Sequence, residues 1–245
     1  MHKFDFQNNN YWINFNKPAG FSSAYVVNLI KKTTKAKKVG HGGTLDPFAS
    51  GVLPIAINKA TKQSNLIMDF KKKYAFKITF GEFRDSDDIS GNIVESNNKR
   101  VSKNRFAKSL IDFIGNIKQT PSKFSAIKIN GIRSYELARK GKEYLMPIRE
   151  VTIYNLKLIN FNEEFCDMEV ECSKGTYIRS LARNICETNG ICGYVSKLSR
   201  LEVGDFLIKN TISLDELKNI INLGQSLKNG SLLDLQSMLS VQKMI

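Results

Sequence analysis

The sequence lacks the features of several protein classes. Its 245 residues include four cysteines and two histidines, and no two cysteines form a C-x-x-C pair. Neither a zinc site nor a disulfide framework is therefore expected. No stretch approaches the roughly 20 apolar residues of a membrane-spanning helix, and the first residues contain no apolar signal segment. We expect no metal, no cofactor, no membrane and a cytoplasmic location.

Acidic residues are also scarce relative to basic ones. The chain has 37 Lys and Arg against 23 Asp and Glu, a net charge of +14. Such an excess is typical of proteins that bind a polyanion, because each neutralised phosphate releases counterions. A lysine- and asparagine-rich composition would raise the charge in the same way without any partner. Charge alone favours RNA or DNA binding but leaves both interpretations open.

The hydrophobic pattern alternates between strand and helix periods, with no repeat and no linker rich in Pro, Gly or Ser. Predicted strands cover 74–80, 151–160 and 165–172, with a hairpin at Asn130-Gly131. Predicted helices cover 22–32, 102–114, 135–141, 176–188, 213–223 and 231–239. This pattern predicts an α+β fold with a mixed, mainly antiparallel central sheet flanked by helices. We expect one domain over 1–245, with a protruding hairpin and helix near 118–148.

Residues 41–53, HGGTLDPFASGVL, place one carboxylate in a segment built to turn. Gly42 and Gly43 allow backbone conformations closed to other residues, and Pro47 favours an extended Asp46. An Asx-turn or a helix cap would explain an isolated Asp-Pro equally well. The spacing does not fit a phosphate-binding loop, because no third glycine follows and no G-K-[ST] occurs in the chain. Asp46 is a candidate nucleophile.

Two further residues attract attention. If Thr176 caps its helix, Arg179 lies in the first turn, where a cation opposes the helix dipole and an anionic neighbour should offset it. That neighbour could be Asp46, which the guanidinium would keep ionised, or an RNA phosphate; an exposed and merely tolerated arginine is the alternative. Tyr74 follows three lysines and begins an amphipathic strand. It is either a core residue or a platform for stacking a base.

One acidic stretch looks like a metal loop without being one. The segment DSDDISG at 85–91 resembles a calcium-binding loop. Ile89, however, stands where a ligand belongs, and Ser90 stands where the turn requires glycine. We expect no metal there.

Several motifs together resemble those of the TruB-type tRNA pseudouridine synthases. HGGTLDPFASGVL is joined by NKPAGFSS at 16–23, KKYAFKITFG before DSDDISG, PSKFSAIKINGIRSYELARKG at 121–141 and GTYIRSLAR at 175–183. They follow the order of the family and cover about residues 11–205. The resemblance implies an isomerase that converts uridine 55 in the T loop of tRNA to pseudouridine without cofactor or metal. The target base must be flipped out of its stack.

The resemblance also implies roles for individual residues. Asp46 would be the catalytic aspartate, attacking either the uracil ring or a ribose carbon. Tyr74 would stack on the base and is a candidate for the proton step, and Arg179 would pair with Asp46. His41 would hold the flipped-out loop, and Leu198 would line the pocket. These five residues form the predicted site.

The expected partner is the T-arm stem-loop of tRNA, gripped by the 118–148 insertion of a monomeric protein. Six basic residues in or near the motifs are expected to contact the RNA: Lys17, Lys62, Lys72, Lys73, Lys128 and Arg133. Only about 40 residues follow position 205, so we expect the C-terminal PUA-like RNA-binding domain of many bacterial members to be absent or reduced.

Two other functions compete with the isomerase. A non-catalytic RNA chaperone would explain the basic segments equally well, but it has no use for Asp46 in its glycine- and proline-flanked loop; assistance in tRNA folding could also accompany catalysis. A phosphoryl-transfer enzyme is disfavoured, because the chain lacks a loop that would cradle phosphates.

Overall fold

The computed structural model describes residues 4–223 and 232–234. The chain divides into two compact units, one of residues 1–73 with 199–245 and one of residues 74–198. Two strands, at 72–80 and 193–203, pass through the boundary. No linker segment therefore separates the units along the chain. The single domain expected from the sequence stays a prediction.

Fourteen strands and six α-helices occur in the described residues. The strands are β1 (Tyr11–Lys17), β2 (Val39–His41), β3 (Ser50–Ile57), β4 (Lys72–Phe80), β5 (Glu82–Arg84), β6 (Ile93–Ser96), β7 (Gly115–Gln119), β8 (Lys128–Ile129), β9 (Ile132–Arg133), β10 (Arg149–Phe161), β11 (Phe165–Cys172), β12 (Gly193–Val203), β13 (Phe206–Leu207) and β14 (Leu232–Asp234). The helices are α1 (Ser23–Thr34), α2 (Ser64–Asp69), α3 (Lys103–Ser109), α4 (Ser134–Arg139), α5 (Ile178–Asn189) and α6 (Leu214–Leu223).

The first unit is built around β3, an apolar strand that the sequence analysis did not predict. It pairs antiparallel with β1 and β2 and parallel with β12, where Ser50 lies opposite Ser199. On the outer side, β1 pairs antiparallel with β14. The helix predicted over 231–239 is therefore wrong for residues 232–234, because they continue the sheet; the rest of that segment lies outside the described residues.

The core of the first unit lies on both faces of this sheet. One cluster joins Phe15, Ile55 and Ile30 of α1 to Ile220 of α6. The other contains Trp12, whose ring meets that of Phe206 edge-on with centroids 6.0 Å apart. An apolar strand buried on both faces suits this arrangement, since strands covered on both sides become continuous apolar runs.

The second unit contains β4 from Tyr74 onward and β12 up to Leu198. The strand order here is β12-β4-β11-β10-β7, and β10 pairs antiparallel with both β11 and β7. Alternate residues of β4 and β11 are buried, as their period of two predicts. Cys166 and Cys172 are free thiols on the buried face of β11.

Local signals were reliable guides to the helices and the hairpin. Ser22 and Ser102 cap α1 and α3, each accepting a main-chain N–H three residues on. Asn130 and Gly131 both have positive φ, at 48° and 84°, between β8 and β9, as a two-residue hairpin turn requires. Each unit combines a mainly antiparallel sheet with helices, which confirms the predicted α+β class. None of the described helices is long and apolar enough to span a membrane.

Candidate active site

The loop that carries Asp46 is held by main-chain hydrogen bonds in the first unit. The N–H of Gly42 donates to the carbonyl of Pro54 at 2.8 Å. A Cβ on Gly42 would come within 2.5 Å of the Ile67 side chain, so glycine is needed for close approach. The Ser23 hydroxyl donates to the carbonyl of Leu45 and accepts its N–H, both at 2.9 Å. The main chain before Asp46 is thus restrained on two sides.

Lys17 is one of two buried cations that fix this loop. Its side chain has no exposed area, and its ammonium donates to the carbonyls of Pro18, Phe21 and Pro47 at 2.9, 2.7 and 3.2 Å. Burial lowers the pKa of Lys17 to about 8, and the negative charge of Asp46 opposes that shift. The ammonium therefore ties the residue that follows Asp46 to the start of α1.

Arg200, at the end of β12, is the second buried cation. Its guanidinium donates to the carbonyls of Val52, Thr44 and Gly43 at 2.8, 3.2 and 3.0 Å, and the residue is 1% exposed. Gly51 makes this approach possible, because a Cβ there would lie 2.3 Å from the Arg200 carbonyl oxygen. The two cations clamp the loop at both ends through its main chain.

Asp46 itself is half-buried at the turn of this loop. Nearby His41 is also half-buried, and its Nδ1 accepts the N–H of Gly43 at 3.3 Å. Burial and the positive charge of Arg200 lower the pKa of His41, which favours the neutral imidazole. His41 lines a cavity of about 390 Å³ together with Lys38 and residues of α1. The structure thus brings Asp46, His41 and Lys17 together in one unit.

Two predicted RNA contacts need correction. Lys17 and Lys72 are buried, with exposures of 0% and 6%. Lys17 donates to loop carbonyls, and the ammonium of Lys72 donates to the carbonyls of Met68 and Phe70. A lysine buried this deeply does not present its charge at the surface. The sequence identifies both residues as positively charged, but only the fold decides whether the charge faces an RNA phosphate or main-chain oxygens.

The other four predicted RNA contacts are accessible. Lys62 lies in a short 3₁₀ helix of the first unit and is exposed, and Lys73 is partly exposed. Lys128 and Arg133 are exposed on the β8–β9 hairpin of the second unit. These four remain predictions, since their positions are compatible with phosphate contact.

In the second unit, Arg179 lies in the first turn of α5. The helix is preceded by Tyr177 rather than Thr176 at its N-cap, so Arg179 is the second helical residue and not the third. The arginine is 3% exposed, and its Nη1 lies 3.1 Å from Oδ2 of Asp88. The anionic neighbour expected for a cation at this end of a helix therefore includes a carboxylate of the DSDDISG segment.

This segment forms a compact loop whose carboxylates face inward. Oδ1 of Asp88 accepts the Ser86 hydroxyl and the Ser90 N–H, both at 2.9 Å. Arg179 also donates to the carbonyls of Ser86 and Phe124 at 2.9 and 3.2 Å. The loop thus links α5 to the base of the 118–148 insertion.

A second ion pair stands beside the first. Nη1 of Arg183, one turn further along α5, lies 2.7 Å from Oδ2 of Asp87, and its Nη2 donates to the carbonyl of Thr120 at 2.8 Å. Burial raises the pKa of Asp87 to about 6, against the opposing charges of Arg183 and Arg179. Asp87 is therefore a buried carboxyl whose pKa lies in a pH range that is accessible to experiment.

Tyr74 and Leu198 are both buried in the second unit, at 9% and 7% exposure. They lie on β4 and β12, which are neighbours in the sheet. The structure thus groups Tyr74, Arg179 and Leu198 in one unit and Asp46 and His41 in the other. Among the described residues, no group of three or more histidine, cysteine or acidic side chains is placed to hold a metal.

Sequence reasoning missed Arg200, Asp87 and Asp88. It evaluated the acidic loop only as a metal site and did not consider that arginines four residues apart on α5 could pair with adjacent aspartates. The i, i+4 spacing of Arg179 and Arg183, which puts both on one helix face, was the available signal.

Comparison with known proteins identifies the family. The TruB family pseudouridylate synthase N-terminal domain matches residues 31–178. A tRNA pseudouridine synthase B of Ehrlichia chaffeensis is 46% identical over 213 residues, which are 86% of this chain and 72% of that protein. One of Rickettsia bellii is 44% identical over 223 residues, covering 90% and 76%.

Solved structures give the same answer for the fold. A chain of a Cbf5–Nop10–Gar1 complex superposes with a TM-score of 0.73 at 26% identity, over 94% of this chain and 61% of that one. A chain of an H/ACA RNP bound to a substrate RNA containing 2'-deoxyuridine superposes with a TM-score of 0.67 at 26% identity, over 88% and 56%. This chain thus spans about three-fifths of those longer chains. From the family match and these relatives we conclude that the chain belongs to the TruB family of pseudouridylate synthases.

Proposed function

We propose that this enzyme isomerises uridine 55 in the T loop of tRNA to pseudouridine, with Asp46 as nucleophile. The observation that carries the proposal is the clamp on the Asp46 loop. Two buried cations, Lys17 and Arg200, bind six main-chain oxygens in and beside the loop, while Asp46 stays partly accessible. A fold that positions a carboxylate so firmly is suited to nucleophilic attack.

The reaction rearranges one nucleotide and consumes no second substrate. The uridine must first leave its stack, at a cost of a few kcal/mol. The bond between N1 and the ribose C1′ then breaks, the base turns, and C5 bonds to C1′. C5 loses a proton, and N1 gains one. Asp46 bonds transiently either to the uracil ring or to the ribose C1′, and this bond breaks again when the product forms. If it bonds to C1′, the pocket must retain the detached base while it turns.

The remaining site residues keep the roles that the resemblance implies. Tyr74 stacks on the base and is a candidate for the proton step, and Leu198 contributes an apolar wall. Arg179 is assigned, as the resemblance implies, to pair with Asp46. His41, neutral because of its burial, holds the flipped-out loop beside the cavity that it lines. Hydrogen bonds and stacking, not charge, would be its contribution.

Substrate binding is assigned to the exposed basic residues and to the insertion. Lys62, Lys73, Lys128 and Arg133 would contact phosphates of the T-arm stem-loop, and the β8–β9 hairpin would grip the arm. We propose that the protein works as a monomer in the cytoplasm. The four buried free thiols are compatible with a reducing compartment such as the cytoplasm. The mass of the protein measured by sedimentation with and without RNA tests whether it is a monomer.

The decisive experiment measures tritium release from a T-arm stem-loop carrying [5-³H]uridine at position 55, since pseudouridine formation expels the C5 hydrogen. Asp46→Asn preserves shape but removes the nucleophile. We expect the turnover rate to fall on the order of 10⁴-fold while the affinity for RNA stays within a few-fold.

Asp215→Asn is the matched control, because Asp215 is an exposed carboxylate on α6 of the same unit. It should release tritium at the wild-type rate. Retained turnover in Asp46→Asn would remove Asp46 as nucleophile. A wild-type protein that binds the stem-loop tightly but releases no tritium would favour the RNA chaperone instead.

A further inference from the structure

Two aromatic side chains, one just before α1 and one in its first turn, are exposed to solvent. Phe21 is 44% exposed and Tyr25 51% exposed. Their rings stack with centroids 5.1 Å apart and planes 17° from parallel. Aromatic rings contribute much of their stabilisation through burial. A stacked pair that is exposed to solvent can therefore bury further ring area against another planar group.

Hydrogen bonds restrain the main chain of both residues. The Phe21 carbonyl accepts a hydrogen bond from the buried ammonium of Lys17 at 2.7 Å. The Tyr25 N–H donates to the N-cap hydroxyl of Ser22 at 3.1 Å. Both residues are thus fixed on either side of the helix start. Because the main chain is already restrained, less conformational entropy is lost when a ligand stacks on the rings.

The same contacts connect the aromatic pair to the Asp46 loop. Lys17 donates to the carbonyls of both Phe21 and Pro47. In addition, the N–H of Gly20 donates to the carbonyl of Pro47 at 2.8 Å. One buried cation and one main-chain bond therefore set the position of the aromatic pair relative to the residue after Asp46.

The surroundings of the pair are positively charged. From Phe6 to Leu45 the sequence contains six lysines and neither aspartate nor glutamate. Lys32 is exposed on α1 seven residues after Tyr25, which places the two on one face of the helix. The C-cap residue Lys35 is exposed as well. The opposite face, with Val26 and Ile30, packs into the core.

We propose that the exposed surface along α1 and its two ends, formed by Phe21, Tyr25, Lys32 and Lys35, binds an unpaired segment of the RNA substrate. One base stacks on the aromatic pair, and the neighbouring phosphates lie along the lysines. An apolar protein partner would account for exposed rings but not for the exposed lysines Lys32 and Lys35 on the same segment, whereas single-stranded RNA presents flat bases and anionic phosphates together. The inference rests on the proposed function only in taking RNA as the substrate.

The test measures RNA binding in an Asp46→Asn background, so that it does not depend on turnover. We expect Phe21→Ala and Tyr25→Ala each to weaken binding of the T-arm stem-loop about 10-fold without changing the slope of log affinity against log salt. The Lys32→Ala/Lys35→Ala double variant should lower that slope by about 1 to 2. In proteins with intact Asp46, KM should rise by the same factors.

Three controls make the outcomes distinct. Tyr154→Ala removes a ring that is 43% exposed on β10, and it should bind RNA as the parent does. Phe21→Leu keeps apolar area but not stacking, and it should lose most of the affinity that Phe21→Ala loses. Stem-loops with 5-iodouridine at single unpaired positions should crosslink to the peptide that contains Phe21 and Tyr25.

Parent-like affinity in the alanine variants, or full affinity in Phe21→Leu, would overturn the proposal. If these variants lose affinity but wild-type protein releases no tritium, the RNA surface stands and the isomerase assignment fails. If tritium is released and the aromatic variants bind RNA normally, the isomerase assignment stands and the proposed RNA surface fails.

Discussion

The loops at 42–47 and 85–91 each lie beside two cations, and the second pair adds ion pairs at close range to its bonds with main-chain carbonyls. In the first unit, Lys17 and Arg200 donate to main-chain carbonyls. In the second unit, Arg179 and Arg183 face the aspartate side chains, at 3.1 and 2.7 Å. Lys17 and Arg200 fix the main chain next to Asp46. Arg179 and Arg183 place positive charge directly beside the carboxylates of Asp88 and Asp87.

The difference separates a presented acid from structural acids. A carboxylate enclosed by arginines at hydrogen-bond distance is stabilised as part of the fold, and removing one partner leaves a buried charge uncompensated. The main chain of the Asp46 loop is held by Lys17 and Arg200 through its carbonyls, and Asp46→Asn keeps the size of the side chain. We therefore expect Asp46→Asn to cost less stability than Asp88→Asn, which breaks a buried ion pair.

Replacing Arg200 should have the largest effect on this comparison. Arg200→Met leaves three carbonyl oxygens near the Asp46 loop without their donor, and each costs about 1–3 kcal/mol. We expect a loss of about 5 kcal/mol in the free energy of unfolding, measured by urea titration, and a turnover rate at least about 100-fold lower.

Arg200→Lys serves as the conservative variant. It keeps the charge but not the planar set of donors that reaches three oxygens, so it should fall between wild type and Arg200→Met in both measurements. Unchanged stability in Arg200→Met would mean that the loop does not depend on the cation.

Asp88→Asn should have the next largest effect. The asparagine can still accept from Ser86 and Ser90, but it removes the charge opposite Arg179. Breaking one side of a buried ion pair costs about 3–5 kcal/mol, so we expect a loss near the lower limit in urea titration. Asp46→Asn, by contrast, should change the free energy of unfolding by less than about 1 kcal/mol. Equal losses in the free energy of unfolding for Asp88→Asn and Asp46→Asn would show that the two loops do not differ in this respect.

The smallest effect concerns the pH dependence due to Asp87. Its pKa is about 6 in the folded protein against an ordinary value of 3.8, so the folded state holds the proton more tightly. The resulting stabilisation is complete below about pH 4 and disappears as the pH rises through about 6. Between pH 4.5 and 6.5 this group should remove about 2 kcal/mol from the free energy of unfolding.

Asp87→Asn isolates this contribution. Asparagine tolerates the positive φ of 62° at this position, so the loop backbone is preserved. The variant should be less sensitive to pH than wild type by about 2 kcal/mol over the same range, while the exposed Asp215→Asn should follow wild type. Identical pH profiles for Asp87→Asn and wild type would contradict the assignment.

Local sequence signals predicted the elements whose causes are local. The serine caps of α1 and α3, the Asn130-Gly131 turn and the alternation in β4 and β11 each depend on a few neighbouring residues. The strand β3 was missed because a strand buried on both faces has no polar alternation to reveal it, and β1 and β12 were missed as well. The helix predicted over 231–239 is wrong for residues 232–234, since their pairing with β1 outweighed the helical pattern.

The sequence by itself determined the family, the α+β class and the choice of Asp46, because motifs and short-range periodicity are properties of neighbouring residues. Tertiary structure alone decided what each charge does. Lys17 and Lys72 belong to basic motifs, yet their ammoniums are buried against carbonyls; Asp88 belongs to a metal-like loop, yet it binds Arg179. Coulombic and hydrogen-bond energies depend on distance and burial, which are set by residues far apart in the chain.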